Sequence, residues 1–125
     1  MAGKAPILIV DDDADIRQAL LDTFADEGHP AVAVGDGPSA LDWLRAQKPC
    51  LVLLDWNMAP MNGGDVVREL RGDPTLAVLP VVLITADVRV KDKASTPGIV
   101  GCLSKPVDVA ALFALVDRHC VQAEA

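Results

Sequence analysis

The stretch Pro6-Ile7-Leu8-Ile9-Val10-Asp11-Asp12-Asp13 decides the fold, because a short apolar run ends abruptly on three carboxylates. Later apolar runs end in the same way on polar residues: Cys50–Leu54 on Asp55, Pro80–Ile84 on Thr85, and Ile99–Leu103 through Ser104 on Lys105. Strands that are so continuously apolar are typical of a parallel sheet covered on both faces. The polar residues are then expected to emerge together at one edge of the sheet.

Segments with helical periodicity separate these runs and predict an α/β fold in which strand and helix alternate five times. The predicted helices run from about Ala14 to Glu27, from Asp36 to near Lys48, and from about Asp108 onward, with a short one after Gly64. Ala31–Val34 is a further short strand. Between Thr85 and Lys105 we expect a short, exposed helix, since this segment has little apolar stripe.

The composition bounds the class of protein. A chain of 125 residues with 51% hydrophobic residues is suited to one domain, with a core from about residue 6 to 121. The net charge of −7 argues against nucleic-acid binding, which requires cationic surface. No apolar stretch is long enough to cross a membrane and the start has no long signal-type segment, so a cytoplasmic location is predicted.

The three cysteines are Cys50, Cys102 and Cys120. Their number is odd and no CxxC spacing occurs, so the sequence indicates neither a disulfide framework nor a zinc site. We therefore expect reduced and mostly buried thiols.

The acidic strand ends are suited to magnesium and phosphoryl chemistry. Mg²⁺ prefers carboxylate oxygens, which Asp11, Asp12 and Asp55 can supply, and the cation relieves their mutual repulsion. A carboxylate can also attack phosphorus, and Asp55 is the natural nucleophile because it stands alone on its own strand. Asp13 and Asp15 are interpreted instead as caps of the helix that follows.

At this point the chain resembles the receiver domain of bacterial response regulators. The matching segments are Ile9–Asp12, Leu53–Met58, Met61–Gly63, Ile84–Ala86 and Lys105-Pro106. The resemblance implies a flavodoxin-like, doubly wound fold with strand order 2-1-3-4-5 and five helices on two faces. It is closest to the stand-alone, chemotaxis-type receiver, without an output domain.

The resemblance also implies roles for the residues. Asp55 would accept a phosphoryl group from a phosphohistidine of a sensor kinase or phosphotransfer protein. Asp12, assisted by Asp11, would hold magnesium together with Asp55 and the main-chain carbonyl of Asn57. Thr85 would move toward the phosphoryl group and Lys105 would pair with it, with a cis bond between Lys105 and Pro106.

The signal would pass to a downstream effector by protein contact, from a monomer or weak dimer. The chain would not be an enzyme beyond its own phosphoryl acceptance and slow self-dephosphorylation, whose rate Asn57 and Asp87 are expected to tune.

Three departures from the family pattern stand out. Ala59 occupies the place of the usual proline, and Pro60 follows it. Cys102 replaces the aromatic switch residue, which puts the coupling of Thr85 movement to side-chain rotation in question. The segment between Thr85 and Lys105 is about two residues shorter than usual.

Two other functions compete with a phosphorylated switch. One is an interaction module of the same fold that works without phosphorylation, which the Cys102 and fourth-helix departures favour. The other is an aspartyl-phosphate phosphatase. That class has an acid/base aspartate two residues after its nucleophile, where this chain has Asn57, which cannot transfer that proton.

Overall fold

The computed structural model describes residues 5–86 and 98–120 of the chain. Strands and helices alternate along the described residues up to β4. The strands are β1 (Ile7–Val10), β2 (Ala31–Val34), β3 (Leu51–Asp55), β4 (Val81–Thr85) and β5 (Ile99–Ser104). The helices are α1 (Ala14–Asp26), α2 (Gly37–Ala46), α3 (Gly63–Arg71) and α4 (Val109–His119).

The five strands form one parallel sheet in the order β2-β1-β3-β4-β5, which confirms the predicted order 2-1-3-4-5. The register pairs Val10 of β1 with Leu54 of β3. The next residues along the two strands, Asp11 and Asp55, therefore lie side by side at the carboxyl edge of the sheet. This register creates the acidic pocket described below.

Alternation along the strands divides the core into two layers. Leu8 and Val10 face the layer that contains the buried side of α2 and α3. Ile7 and Ile9 face the layer that contains Phe24 of α1 and the buried side of α4. All four residues of β1 are fully buried, as the continuous apolar run predicts for a central strand covered on both faces.

Side chains just before each helix determine where it begins. Asp13 accepts hydrogen bonds from the main-chain N–H groups of Asp15 and Ile16, so its predicted role as a cap of α1 is confirmed. Asp36 caps α2 and Asp108 caps α4 in the same way. These carboxylates satisfy N–H groups that have no partner within the first turn of a helix.

The described residues contain four helices. The short helix expected between Thr85 and Lys105 falls on residues 87–97, which lie outside the described part, together with Asp87 itself. None of the helices in residues 5–86 and 98–120 is long and apolar enough to cross a membrane.

The expectation of reduced cysteines is wrong for two of the three. Cys50 and Cys120 form a disulfide, with their Cα atoms 5.0 Å apart. Cys50 lies just before β3, and Cys120 follows the last residue of α4. Because α4 runs back along the sheet, its carboxyl end lies at the same edge as the start of β3. The pairing therefore depends on the tertiary fold and not on any local spacing.

Candidate functional site

The carboxyl edge of the sheet brings together the predicted polar residues. Asp11 follows β1, Asp55 and Thr85 are the last residues of β3 and β4, and Lys105 follows β5. Asp11, Asp55 and Thr85 are each about 2% exposed, although every other fully buried side chain of the described residues is apolar or glycine. Burial of polar groups is costly unless partners compensate for it, so this arrangement indicates a functional site.

Three carboxylates are close enough to bind one cation. Asp11, Asp12 and Asp55 each offer an oxygen within 4.8 Å of the others, and Asp12 is the exposed member. Asp11 Oδ1 accepts a hydrogen bond from the N–H of Asp13 at 2.9 Å. Asp11 Oδ2 is buried without a well-aligned hydrogen bond. Three clustered carboxylates, two of them buried, fit Mg²⁺, which keeps its other positions for water and phosphate oxygens.

Lys105 lies between the two buried carboxylates. Its Nζ is 3.2 Å from Asp11 Oδ2 and 3.4 Å from Asp55 Oδ2. Burial by itself lowers the pKa of Lys105, but the negative charges of Asp55 and Asp11 outweigh burial and raise it above the ordinary value. Lys105 therefore stays an ammonium group at the mouth of the pocket.

The pKa of Asp55 is raised above the ordinary value of an aspartate. Burial is the main cause and the charge of Asp11 adds to it, while Lys105 and the N–H of Asn57 act in the opposite direction. The N–H of Asn57 donates to Asp55 Oδ1 at 3.2 Å. One oxygen of Asp55 is thus held by the main chain and the other faces the ammonium group.

Asn57 and Thr85 are in contact across the pocket. Asn57 Nδ2 donates to Thr85 Oγ1 at 3.3 Å, which places both side chains beside Asp55. This hydrogen bond links the end of β4 to the loop that follows Asp55. The proximity of Asn57, Thr85 and Asp55 is as predicted, whereas the proposed role of the Asn57 carbonyl as a metal ligand stays a prediction.

Arg17 belongs to the pocket and was missed at the sequence level. Arg17 Nη1, on the first turns of α1, donates to the main-chain carbonyl of Asp11 at 2.8 Å. A lone arginine six residues after an aspartate carries no recognisable signal, because the contact depends on the angle at which α1 leaves β1. Arg17 fixes the backbone that carries the acidic pair.

Cys102 lies on β5, away from the carboxylates. It is partly buried and packs against the α2 and α3 layer of the core. Its position confirms that a small side chain occupies the strand where the family usually has an aromatic residue.

Two X–Pro peptide bonds in the described residues are cis. One is Lys105–Pro106, as predicted. The other is Ala59–Pro60, in the loop where Ala59 takes the place of the proline that is usual in the family.

The sequence matches the family described as "Response regulator receiver domain" over residues 7–117. The chain is a response regulator receiver domain. Receiver domains belong to two-component signalling, bind Mg²⁺ at the acidic pocket, and interact with histidine kinases or phosphotransfer proteins. The acidic pocket of such a domain corresponds here to the cluster of Asp11, Asp12 and Asp55.

Individual relatives are similar to this chain over most or part of its length. The receiver domain is 34% identical over 121 residues to an uncharacterized 14.6 kDa protein of Leptolyngbya boryana, covering 95% of this chain and 92% of that protein. It is 44% identical over 80 residues to the DNA-binding response regulator MtrA of Mycobacterium tuberculosis, covering 64% of this chain but 34% of MtrA.

Solved structures show the same fold. A response regulator receiver protein of Pseudomonas putida is similar with a TM-score of 0.86 and 31% identity, covering 94% of this chain and 99% of that one. The chemotaxis protein CheY4 of Vibrio cholerae is similar with a TM-score of 0.84 and 27% identity, again covering 94% and 99%.

Proposed function

We propose that this receiver domain accepts a phosphoryl group on Asp55 from a phosphohistidine, in a reaction that depends on Mg²⁺, and signals by phosphorylation-dependent protein contact in the cytoplasm. The observation that carries the proposal is Lys105 between Asp11 and Asp55, with Nζ 3.2 Å and 3.4 Å from their oxygens. This arrangement places one ammonium group beside the nucleophile and beside the carboxylates that would hold the metal.

The chemistry follows from the surroundings of Asp55. A carboxylate oxygen of Asp55 attacks phosphorus, the N–P bond of the phosphohistidine breaks, and the imidazole nitrogen takes the bonding electron pair and a proton. Bound Mg²⁺ would neutralise charge on the phosphoryl oxygens. Asp11 and Asp12 would hold it, with Asp55 and the Asn57 carbonyl as further ligands. The product is an acyl phosphate on Asp55.

Thr85 and Lys105 would recognise the phosphorylated state. The ammonium group of Lys105, now paired with two carboxylates, would pair with phosphoryl oxygens, and the Thr85 hydroxyl would donate to one of them. Because Asn57 Nδ2 donates to Thr85 Oγ1, a change at Thr85 also changes the partner of Asn57. Differential contacts of this kind bias a protein between two conformations.

Self-dephosphorylation requires water to reach phosphorus. Asn57 lies beside Asp55 and its side chain borders the pocket, which supports a role in the access of that water. We propose that Asn57 tunes a slow rate of hydrolysis and that Asp87 contributes to the same path. Because Cys102 on β5 takes the place of the aromatic switch residue, we propose that the signal is carried less by side-chain rotation and more by backbone rearrangement after Thr85.

The first test is intrinsic fluorescence. Trp56 follows Asp55 directly and is half-buried, so its emission reports on the pocket. Mg²⁺ and then acetyl phosphate are added to the wild type, with intact mass measured at each step. We expect a response to Mg²⁺, a second response to acetyl phosphate, and a mass gain of one phosphoryl group. Asp55→Asn should lose the second response and the mass gain.

A matched control is Asp42→Asn, which removes a carboxylate whose side chain is 81% exposed on α2. It should behave as the wild type. A stable mass gain on Asp55→Asn would contradict the assignment of Asp55. A response to Mg²⁺ without any phosphoryl transfer in the wild type would favour the interaction module that works without phosphorylation.

A further inference from the structure

The amino edge of the sheet, opposite the acidic pocket, carries a second cluster of potential metal ligands. His29 precedes β2, Cys50 precedes β3, and Cys120 follows α4. One ligand atom from each residue lies within 4.8 Å of the other two. We name these three residues the thiol–imidazole cluster. All three are half-buried, so the cluster is shielded but can be reached from solvent.

The two sulfur atoms are joined in the disulfide of this structure, and their backbones are fixed independently of that bond. The N–H of Cys50 donates to the carbonyl of Pro6 at 3.0 Å, which ties it to the start of β1. The N–H of Cys120 donates to the carbonyl of Val116 at 2.7 Å, at the end of α4. Reduction would therefore leave two thiols close together and pointing at one space.

His29 is held as metal-binding histidines usually are. Its Nδ1 lies 3.0 Å from the main-chain carbonyl of Pro30, which can only accept, so this contact selects the tautomer with the proton on Nδ1 and the lone pair on Nε2. A hydrogen bond from one ring nitrogen to a carbonyl is the common second partner of a ligating imidazole. The ring also contacts Phe24, with centroids 6.1 Å apart, which limits its rotation.

We propose that the reduced chain binds Zn²⁺ through Cys50, Cys120 and His29, and that formation of the disulfide abolishes this site. Two thiolates and one imidazole are the ligands that zinc prefers, with a fourth position left for water or another donor. Binding releases the two thiol protons. The acidic pocket, which contains oxygen ligands alone, is suited to Mg²⁺, so the two edges of the sheet would select different metals.

A disulfide of a small thiol can act as the oxidant of this site. The two zinc-bound thiolates lose two electrons and form the bond between Cys50 and Cys120. The small disulfide takes up these two electrons, with two protons from solvent, and becomes two thiols, and Zn²⁺ is released because its sulfur ligands are no longer thiolates. In a reducing compartment the dithiol state, and hence the zinc-binding state, would be the one present.

The experiment uses Co²⁺ as a spectroscopic substitute for zinc, on the whole chain with excess Mg²⁺ to occupy the acidic pocket. The protein is prepared in two states, reduced with a phosphine and oxidised to the disulfide. The reduced protein should give thiolate-to-cobalt charge-transfer absorption that saturates at one equivalent and is removed by Zn²⁺. The oxidised protein, which is the same chain, should give none.

Single variants identify the ligands. Cys50→Ser and Cys120→Ser should each lose most of the charge-transfer absorption. His29→Gln should weaken zinc binding by at least about tenfold, because even the loss of a residue that only hydrogen-bonds to a metal ligand weakens binding by that factor. Cys102→Ser is the matched control, since Cys102 lies on β5 outside the cluster, and it should bind as the wild type does.

Two results would overturn the proposal. One is a reduced wild type whose cobalt spectrum equals that of the oxidised protein. The other is charge-transfer absorption that persists in Cys50→Ser and disappears in Cys102→Ser. Far-ultraviolet circular dichroism of each sample shows whether a loss of binding accompanies a loss of fold, and the comparison of the two wild-type states does not depend on any variant.

Discussion

At the scale of single residues, the acidic pocket stores an unfavourable electrostatic free energy. Asp55 is buried beside Asp11, and its pKa is raised by burial first and by the charge of Asp11 second. Lys105 offsets part of this cost from 3.4 Å. Ionisation of Asp55 is therefore less favourable in the folded chain than in the unfolded chain, and a bound cation would offset this cost.

This cost predicts an effect of Asp55→Asn on stability. Because the pKa of Asp55 is raised, the folded state binds more protons than the unfolded state. The unfavourable contribution of the ionised Asp55 carboxylate is therefore present at neutral pH. It is lost as the pH falls through the raised pKa toward 3.8, the ordinary pKa of an aspartate. Without Mg²⁺, Asp55→Asn should raise the free energy of unfolding by on the order of 1 kcal/mol at neutral pH, because Lys105 keeps Asp11 as its partner. Urea denaturation at several pH values measures this difference, which should shrink under acid.

The same series with Mg²⁺ provides the control. At about 100 times its dissociation constant the ion should stabilise the wild type by roughly 2.7 kcal/mol, and it should stabilise Asp55→Asn much less. A variant that is less stable than the wild type at every pH, with or without Mg²⁺, would contradict the electrostatic account of the pocket.

Gly63 predicts a steric effect on the same site. A Cβ atom at Gly63 would lie 2.8 Å from Trp56 Cα and 2.9 Å from the carbonyl oxygen of Asp55. Both atoms are main chain and cannot rotate away. We expect Gly63→Ala to destabilise the fold by about 1–3 kcal/mol and to weaken Mg²⁺ binding by displacing Asp55. Thermal denaturation and Mg²⁺ titration measure the two effects.

Gly72→Ala is the control for this steric argument. A Cβ at Gly72 meets nothing closer than 3.6 Å, so that variant should be close to the wild type in stability and in Mg²⁺ binding. If Gly63→Ala and Gly72→Ala had equal effects, steric contact with Asp55 and Trp56 would not be the reason that residue 63 is restricted to glycine.

The main residues of the pocket could be predicted from the sequence, because each follows an apolar run and parallel strands end at one edge. The hydrogen bonds that these residues make could not be predicted in the same way. The hydrogen bond from Asn57 to Thr85 and that from Arg17 to the Asp11 carbonyl depend on how the loops and α1 leave the sheet. No spacing along the chain encodes these angles.

At the scale of secondary-structure elements, short polar caps determine where the helices begin. Asp108 Oδ1 accepts from the N–H groups of Ala110 and Ala111 at 2.9 and 3.3 Å. Its negative charge also lies at the positive end of the α4 dipole. Cys120 lies at the opposite end of the same helix.

Removal of this cap should loosen α4. We expect Asp108→Ala to lower the free energy of unfolding by about 1 kcal/mol, the typical effect of a lost N-cap. Asp117→Ala removes an exposed carboxylate near the other end of the same helix and should be neutral or slightly stabilising. Denaturation of both variants decides the question, and a larger loss in Asp117→Ala would refute the capping argument.

The strands and described helices were predicted within one or two residues, because buried strands and amphipathic helices have different apolar periodicities. β5 and the last helix illustrate this agreement. The order of strands in the sheet came from resemblance and not from periodicity. Local pattern specifies each element, whereas neighbours in the sheet depend on contacts between distant parts of the chain.

At the scale of the whole molecule, the disulfide is the feature that sequence reasoning got wrong. Cys50 and Cys120 are 70 residues apart. Their pairing requires the order of the sheet and the return direction of α4, and neither can be read from cysteine spacing. An odd number of cysteines was therefore a misleading guide, since the third, Cys102, lies on β5 outside the pair.

The disulfide predicts a large effect of reduction on stability. A cross-link that closes a loop of this length restricts the unfolded chain, and such bonds typically contribute about 2–4 kcal/mol. Reduction should lower the free energy of unfolding by that amount, as measured by urea denaturation with and without a phosphine and with zinc chelated. The double variant Cys50→Ser, Cys120→Ser should be insensitive to the phosphine, and an equal response in that variant would exclude the disulfide as the cause.

The same bond changes how the chain would transmit mechanical force. A load applied at the two ends of the oxidised chain passes from Cys50 directly to Cys120, because the covalent bond bypasses everything between them. Asp55, Thr85 and Lys105 all lie inside that bypassed loop, whereas Asp11 and Asp12 lie on the loaded path. Stretching would therefore pull the acidic pair away from the nucleophile, while the loop that contains Asp55 could not be extended until the bond is reduced.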